Sequence, residues 1–301
     1  MNTASPILPA VGLVLAMLIW ASSFIAMKVA VMAFDPMLAI CARMVIAALC
    51  FACLAPRLRG MAYRKGDWRY MAFMAFCEPC LYFVCEGYAL RLTSASQAGM
   101  VSATLPVMVA VGAWFVLREK LGPRAWLGLA LAVAGVAWLS LSGEATEAAP
   151  NPLAGNLLEF LAMVAATGYM LTLKKLTSRY SPLFLTAVQA VGGSIFFLPV
   201  VAATGGFAAP LPDPLPLGPA LAVLYLGTAV TLGAYGLYNF GVSRLEAGKA
   251  AAYINLIPVL AVLMGWLFLD ETLTPPQYAA SALVLAGVLL SQGGGKRTAG
   301  A

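Results

Sequence analysis

Apolar residues in this chain come in long unbroken runs, and polar residues collect in the short stretches between them. Ten runs stand at about residues 8–30, 37–56, 70–90, 96–117, 124–142, 154–173, 182–202, 219–240, 248–269 and 276–292. Runs of this length predict membrane-spanning helices. A bilayer core about 30 Å thick takes roughly 20 residues of helix, and a helix satisfies its backbone amides within its own segment. The first run has no basic residue before it and exceeds the apolar part of a secretion signal, so it reads as a retained span. Composition agrees: 62% of the 301 residues are hydrophobic and 10% are charged, with a mean hydropathy of +0.90. That leaves too little polar surface for a soluble domain. The expected fold class is an all-α integral membrane protein with ten transmembrane helices.

Charge then orients the spans. With the N-terminus inside, 15 of the 18 Lys and Arg residues fall in inner loops and the tail, from Arg57 and Arg59 to Lys296 and Arg297. The outer loops carry Asp35, Glu144, Glu147, Asp213, Asp270 and Glu271, with Arg91 as their one basic residue. The positive-inside rule therefore puts both termini in the cytoplasm, as expected for a multi-pass protein of a bacterial-type inner membrane. The net charge of +6 records topology, and nucleic acid is not an expected partner.

The pattern also repeats. Residues 94–139 lie without a gap on residues 246–291, 152 positions later, with 14 of 46 positions identical. The informative pairs are the rare residues: Pro106/Pro258, Trp114/Trp266, Glu119/Glu271, Pro123/Pro275 and Gly135/Gly287. Earlier spans match at an offset of 146, with Asp35-Pro36 against Ser181-Pro182, Arg43 against Gln189 and Phe51 against Phe197. Five spans separate equivalent elements, so one half is inverted relative to the other. The expected organisation is a repeat over 1–143, an external linker at 144–153, an inverted repeat over 154–292 and a cytoplasmic tail at 293–301. Inverted repeats are typical of alternating-access carriers. Pro106 and Pro258, each removing a hydrogen bond within its helix, are the expected hinges.

Candidate chemistry narrows the function. No GxxxxGK[ST] phosphate cradle is present, which excludes the usual ATP-driven pump. The chain has no His, hence no His metal site and no Ser/His triad. Cys77-Glu78-Pro79-Cys80 has CxxC spacing, but without further ligands it reads as packing. No enzyme activity, cofactor or metal is expected, and no reentrant filter loop suggests a channel.

Five ionisable residues fall inside spans: Lys28, Arg43, Glu78, Glu86 and Glu159. Each costs ~2.5–3.5 kcal/mol at the middle of a span. Lys28 and Arg43 are placed to snorkel, and Glu159 to meet the outer interface. Glu78 lies near the midplane beside the helix-breaking Pro79, either facing a cavity or partnering another helix, for example through Arg43. On a regular helix Glu78, Tyr82 and Cys85 share a face, with Glu86 at its edge. Polar and aromatic residues stripe four more spans, and the candidate substrate-binding set is Trp20, Glu78, Tyr82, Gln97, Tyr235, Tyr238, Asn239 and Tyr253. An aromatic-walled cavity with a few hydroxyl, amide and carboxylate groups suits an amphiphilic zwitterion such as an amino acid. Gly128, Gly135, Ala280 and Gly287 suit close helix packing or dimerisation. The expected partners are a small-molecule substrate and the lipid bilayer, with the chain a monomer or homodimer.

Leu105-Pro106, Leu117-Arg118-Glu119-Lys120-Leu121, Gly128 and Gly135, with Pro258, Leu269-Asp270-Glu271-Thr272-Leu273 and Gly287, resemble the EamA-type drug/metabolite transporter superfamily. Trp20-Ala21-Ser22-Ser23-Phe24 and Arg43 after Pro36 fit it too, while Gln189 and Ala280 depart from its pattern. The resemblance spans nearly the whole chain. It implies ten helices, no cofactor and secondary export of small metabolites, with buried aromatics pointing to amino-acid exporters, aromatic or otherwise apolar. A multidrug carrier of lipophilic cations, using Glu78 or Glu159, is the alternative.

Overall fold

Helix starts follow simple capping chemistry. Asp35, Asn151 and Ser181 each precede a proline, and their side chains accept hydrogen bonds from the amides of Leu38, Ala154 and Phe184 at 3.0, 3.1 and 3.3 Å. Proline suits the first helical position because its missing amide would have had no helical partner. A computed structural model describes residues 7–54, 56, 63–118, 121–208, 210, 212–242, 244 and 253–292. Glu119, the basic residues Arg57, Arg59, Lys120, Lys249, Lys296 and Arg297, and the tail from 293 lie outside the described residues, as does the Asn239 side chain.

The described residues are helical, without strands. The elements are α1 (Ile7–Ala33), α2 (Pro36–Cys53), α3 (Trp68–Ala75), a π-helical segment (Phe76–Leu81), α4 (Tyr82–Leu92), α5 (Ala95–Ser102), α6 (Leu105–Leu117), α7 (Pro123–Leu141), α8 (Pro152–Leu176) and α9 (Pro182–Ala203). There follow α10 (Leu217–Tyr225), a second π-helical segment (Leu226–Ala234), α11 (Tyr235–Val242), α12 (Leu256–Leu269) and α13 (Pro275–Gln292). Joined across their breaks, eight helices among the described residues are long and apolar enough to cross a membrane. Of the remaining two expected spans, α12 has 14 described residues, and α13 has 18 but carries Gln277, Tyr278, Ser281, Ser291 and Gln292. Large apolar side chains stand outward on these helices, among them Phe115, Leu141, Ile195 and Leu217, as lipid-facing surfaces require.

The breaks have local causes. Pro106 and Pro258 do not sit mid-helix. The fourth span stops at Ser102 and resumes at Leu105 with Pro106 in the first turn of α6, and Asn255 precedes α12. A proline ring clashes with the carbonyl four residues back, so each break falls just before its proline. Arg118 and Asp270, 152 residues apart, both end their helices in the left-handed region, at φ 56° and 52°.

Packing pairs α2 with α9, α4 with α8, α5 with α12 and α7 with α13, while α1 lies against α10, α11 and α12. At the α7–α13 contact, a Cβ added to Gly287 would stand 2.6 Å from the Gly128 carbonyl oxygen, and one on Gly135 would stand 2.8 Å from the Val284 amide nitrogen. The glycines and small residues of these two helices are thus used on each other within one chain.

The ends of the bundle are tied by charge. Lys28 was placed to snorkel, but it is 3% exposed. Its ammonium donates to the carbonyls of Leu90, Thr93 and Ala148 at 2.6, 2.8 and 2.5 Å. Glu271 accepts from the amides of Ala95 and Ser96, both at 2.8 Å, and from the Ser96 hydroxyl at 2.6 Å. At the opposite end Asp67 accepts from Arg179 at 3.1 Å and from the Tyr180 hydroxyl at 3.0 Å. Burial pushes the Asp67 carboxyl up, but the Arg179 and Tyr180 hydrogen bonds outweigh it and hold it below its ordinary value.

Two outcomes follow for stability. Gly287→Leu must separate α7 from α13, and such overpacking costs on the order of 1–3 kcal/mol. Thermal unfolding in detergent should show a midpoint several degrees lower, and an unchanged midpoint would contradict the close contact. Because the folded-state value of Asp67 is depressed, its contribution is complete above the ordinary carboxylate range and is lost as pH falls through the folded value. Asp67→Asn should therefore flatten the acid limb of the stability profile, which melting curves across that range would read.

Candidate functional site

Both π-helical segments interrupt spans at the middle of the bundle, where a wide turn leaves carbonyls without their regular partners. In the first, Pro79 disfavours the helical region for the residue before it, and Glu78 takes an extended backbone at φ −144°, ψ 117°. Its freed carbonyl accepts from Gln189 Nε2 at 2.8 Å. In the second, the Thr231 hydroxyl donates to the Leu226 carbonyl at 2.8 Å.

Between these segments and the paired helices α2 and α9 lies a small recess of about 30 Å³, lined by Arg43, Glu78, Phe83, Thr186, Gln189, Thr231 and Tyr235. Arg43 and Gln189, equivalent in the repeat, both reach it. Arg43 is 6% exposed, so it does not snorkel. Its guanidinium lies 4.1 Å above the Phe83 ring. Glu78 and Glu86 act on it electrostatically, yet among the described residues no ion pair closes on it and its Nε has no hydrogen-bond partner. The Tyr235 hydroxyl donates to Glu78 Oε1 at 3.4 Å. The recess thus presents a cation and a carboxylate side by side, with neither charge locked into an ion pair with the other.

The expected site residues divide. Glu78 and Tyr235 line the recess. Trp20 joins them, its ring edge-on to Tyr235 at 5.3 Å and tilted against Tyr238 at 5.1 Å. Tyr82 turns away, because the π-helical segment shifts the helix register, and donates to Glu86 at 2.8 Å. Gln97 is in a separate buried network, accepting from Asn156 Nδ2 at 2.9 Å, while Thr93 donates to Asn156 Oδ1 at 2.8 Å. Tyr253 is half-buried ahead of α12 and outside the recess lining. Sequence reasoning did not place Phe83, Thr186 or Thr231 here, and it gave Gln189 no role. The Arg43/Gln189 equivalence was a usable signal for Gln189, and Pro79 for the first break. The second π-helical segment, LGTAVTLGA, has no proline to announce it. Among the described residues no cluster of His, Cys, Asp or Glu could hold a metal ion.

An apolar helical bundle with a charged recess among its helices suits a membrane transporter. The EamA-like transporter family model matches residues 8–141 and again residues 153–292, so the chain belongs to that family and is a transporter, not an enzyme. Among its relatives is the uncharacterized transporter YetK of Bacillus subtilis (strain 168), 27% identical over 232 residues, which cover 76% of this chain and 69% of that protein. The uncharacterized transporter YcxC of the same organism is 28% identical over 281 residues, 89% of this chain and 87% of that one. A probable terminal-alkyne amino-acid exporter of Streptantibioticus cattleyicolor is 26% identical over 280 residues, 93% of this chain and 91% of that one. A solved crystal structure shares the fold with a TM-score of 0.60 at 20% identity, covering 95% of this chain and 96% of the other.

Gln189→Met keeps the side-chain volume but removes the donor to the Glu78 carbonyl. A buried acceptor left unmet costs about 1–3 kcal/mol. The variant should melt several degrees lower than the parent in detergent, and equal melting would mean that the Glu78 carbonyl finds another donor.

Proposed function

We propose that the protein is a secondary transporter of a bacterial-type inner membrane that exports small amphiphilic metabolites, amino acids foremost, by alternating access. The observation that carries the substrate class is the pairing of Arg43 and Glu78 in one recess walled by Phe83 and Tyr235, with Trp20 packed against Tyr235. A zwitterion offers a carboxylate to the guanidinium, an ammonium to the carboxylate and an apolar body to the rings. A lipophilic cation would meet Arg43 unfavourably, which sets the multidrug alternative second. The likeness to a probable amino-acid exporter agrees in kind.

Ten spans in two inverted halves, with both termini cytoplasmic, are the architecture this reading requires. The apolar run around α12 begins near residue 248 in the sequence, long enough to cross. Packing supports the repeat. Exchanging the first five spans for the last five carries the α1 contact with the eighth span onto the α8 contact with the third, and returns the α2–α9, α5–α12 and α7–α13 pairs to themselves. The shared breaks before Pro106 and Pro258 give each half an equivalent place to bend, as alternating closure needs.

Uptake of a labelled amino-acid panel into proteoliposomes, with ethidium as the lipophilic cation, tests the reading. The parent should carry amino acids. Arg43→Gln should lower that transport about tenfold or more, the scale of a charged hydrogen bond lost, and lessen the discrimination against the corresponding decarboxylated amines. Trp20→Ala should weaken aromatic substrates more than small ones. Ethidium transport without amino-acid transport would replace this proposal with the multidrug reading.

A further inference from the structure

Glu159 sits one to two turns into α8 and is 0% exposed. Neither of its carboxylate oxygens has a hydrogen-bond donor. It was expected at the outer interface, yet it is enclosed where α8 packs against α4, α5, α6 and α7. Its acidic neighbour is Glu86. From α4 it also meets Cys85 and Tyr82, and the Tyr82 hydroxyl is given to Glu86. Neither α5 nor α6 contains a titratable side chain, and α7 has only the exposed Arg124 at its start. On α8 itself, Tyr169, Lys174 and Lys175 lie towards its far end. On the third span Cys77, Glu78 and Cys80 lie nearer the recess. Among the described residues no cation acts on Glu159, and Arg43 acts on Glu86 and Glu78.

Two carboxylates, Glu78 and Glu86, thus share a single guanidinium, and the third, Glu159, has neither a hydrogen-bond donor nor a counter-ion among the described residues. A carboxylate anion in that position would be uncompensated in a low-dielectric interior, at a cost of several kcal/mol. We propose that Glu159, with Glu86 beside it, is the proton-carrying site that couples substrate export to proton entry. In the packed arrangement the proton is covalently held on a Glu159 oxygen. When the halves rearrange and water or Glu86 comes within reach, that O–H bond breaks, the proton passes to the acceptor and the electron pair stays on the carboxylate. Glu86 links this site to the recess, because it shares Arg43 with Glu78. A charged substrate arriving at Arg43 and Glu78 changes the field at Glu86, and through it at Glu159. The inference rests on the family's transport activity and does not depend on the substrate's identity.

Two measurements on the full chain in lipid test it. Infrared spectra at neutral pH should show a buried carboxylic-acid C=O stretch that disappears in Glu159→Gln. In proteoliposomes carrying L-phenylalanine, an inward proton gradient should accelerate export at least tenfold in the parent, and an entrapped pH dye should report proton entry with it. Glu159→Gln, a neutral and nearly isosteric change, should keep phenylalanine counterflow while losing both the acceleration and the proton movement. A parent without the band, transport indifferent to the pH gradient or driven by sodium alone, or a variant that keeps proton movement would each overturn the proposal. Should the variant fail to fold, the parent's band and its response to the pH and sodium gradients still decide. Absence of phenylalanine counterflow in the parent would count against the amino-acid reading, and the band would then decide the proton site.

Discussion

The turn between α4 and α5 is the constraint on which the rest of the bundle depends. A helix that ends and another that begins inside an apolar protein leave carbonyls and amides without partners, and water is not there to meet them. Lys28 takes up the carbonyls of Leu90 and Thr93, Glu271 takes up the amides of Ala95 and Ser96, and Ser94 takes up the amide of Gln97. Lys28 comes from the first span and Glu271 from the turn before the last, so one tight connection joins the two halves of the chain. Each side chain carries the charge that complements its helix end, and the two also attract each other.

That arrangement leaves the opposite end and the middle free to do different work. At the far end of the third span the tie is the buried Asp67, held by the partly exposed Arg179 and by the Tyr180 hydroxyl. In the middle, the two π-helical segments widen the bundle where α2 and α9 cross it, and the recess forms there. Charge is concentrated in this region without being neutralised: Arg43 faces several acids and closes an ion pair with none. A fixed buried pair would serve stability, whereas charges left open around a cavity are available to a ligand.

Much of the fold was legible in the chain. Runs of about 20 apolar residues define helices because the bilayer allows little else, and the fourteen shared positions between 94–139 and 246–291 recorded a duplication visible without any coordinates. That Gly128, Gly135, Ala280 and Gly287 serve close helix packing was also readable, since small residues along a helix have few other uses in a membrane, but that α7 and α13 use them on each other was not. The recess was legible only in part. Glu78, Tyr235 and Trp20 were found from cost and aromatic spacing, but Tyr82 was assigned by projecting a regular helix through a segment that is not regular. One wide turn rotates every later side chain relative to those before it, so Tyr82, which keeps its neighbour Glu86 one turn on along α4, is not in the recess lining that Glu78 joins.

Residue type and spacing by themselves determined the membrane class, the helical architecture and the family, because each rests on local rules: span length, proline position, small-residue faces and repeated motifs. Only the tertiary structure decided what the buried charges do. Lys28, Arg43 and Glu159 all looked able to reach an interface along their own helices, and each is instead enclosed by helices distant in sequence. Whether an ionisable side chain meets three carbonyls, an open recess or no partner at all is set by the neighbours that packing brings to it, and no spacing within its own span records them.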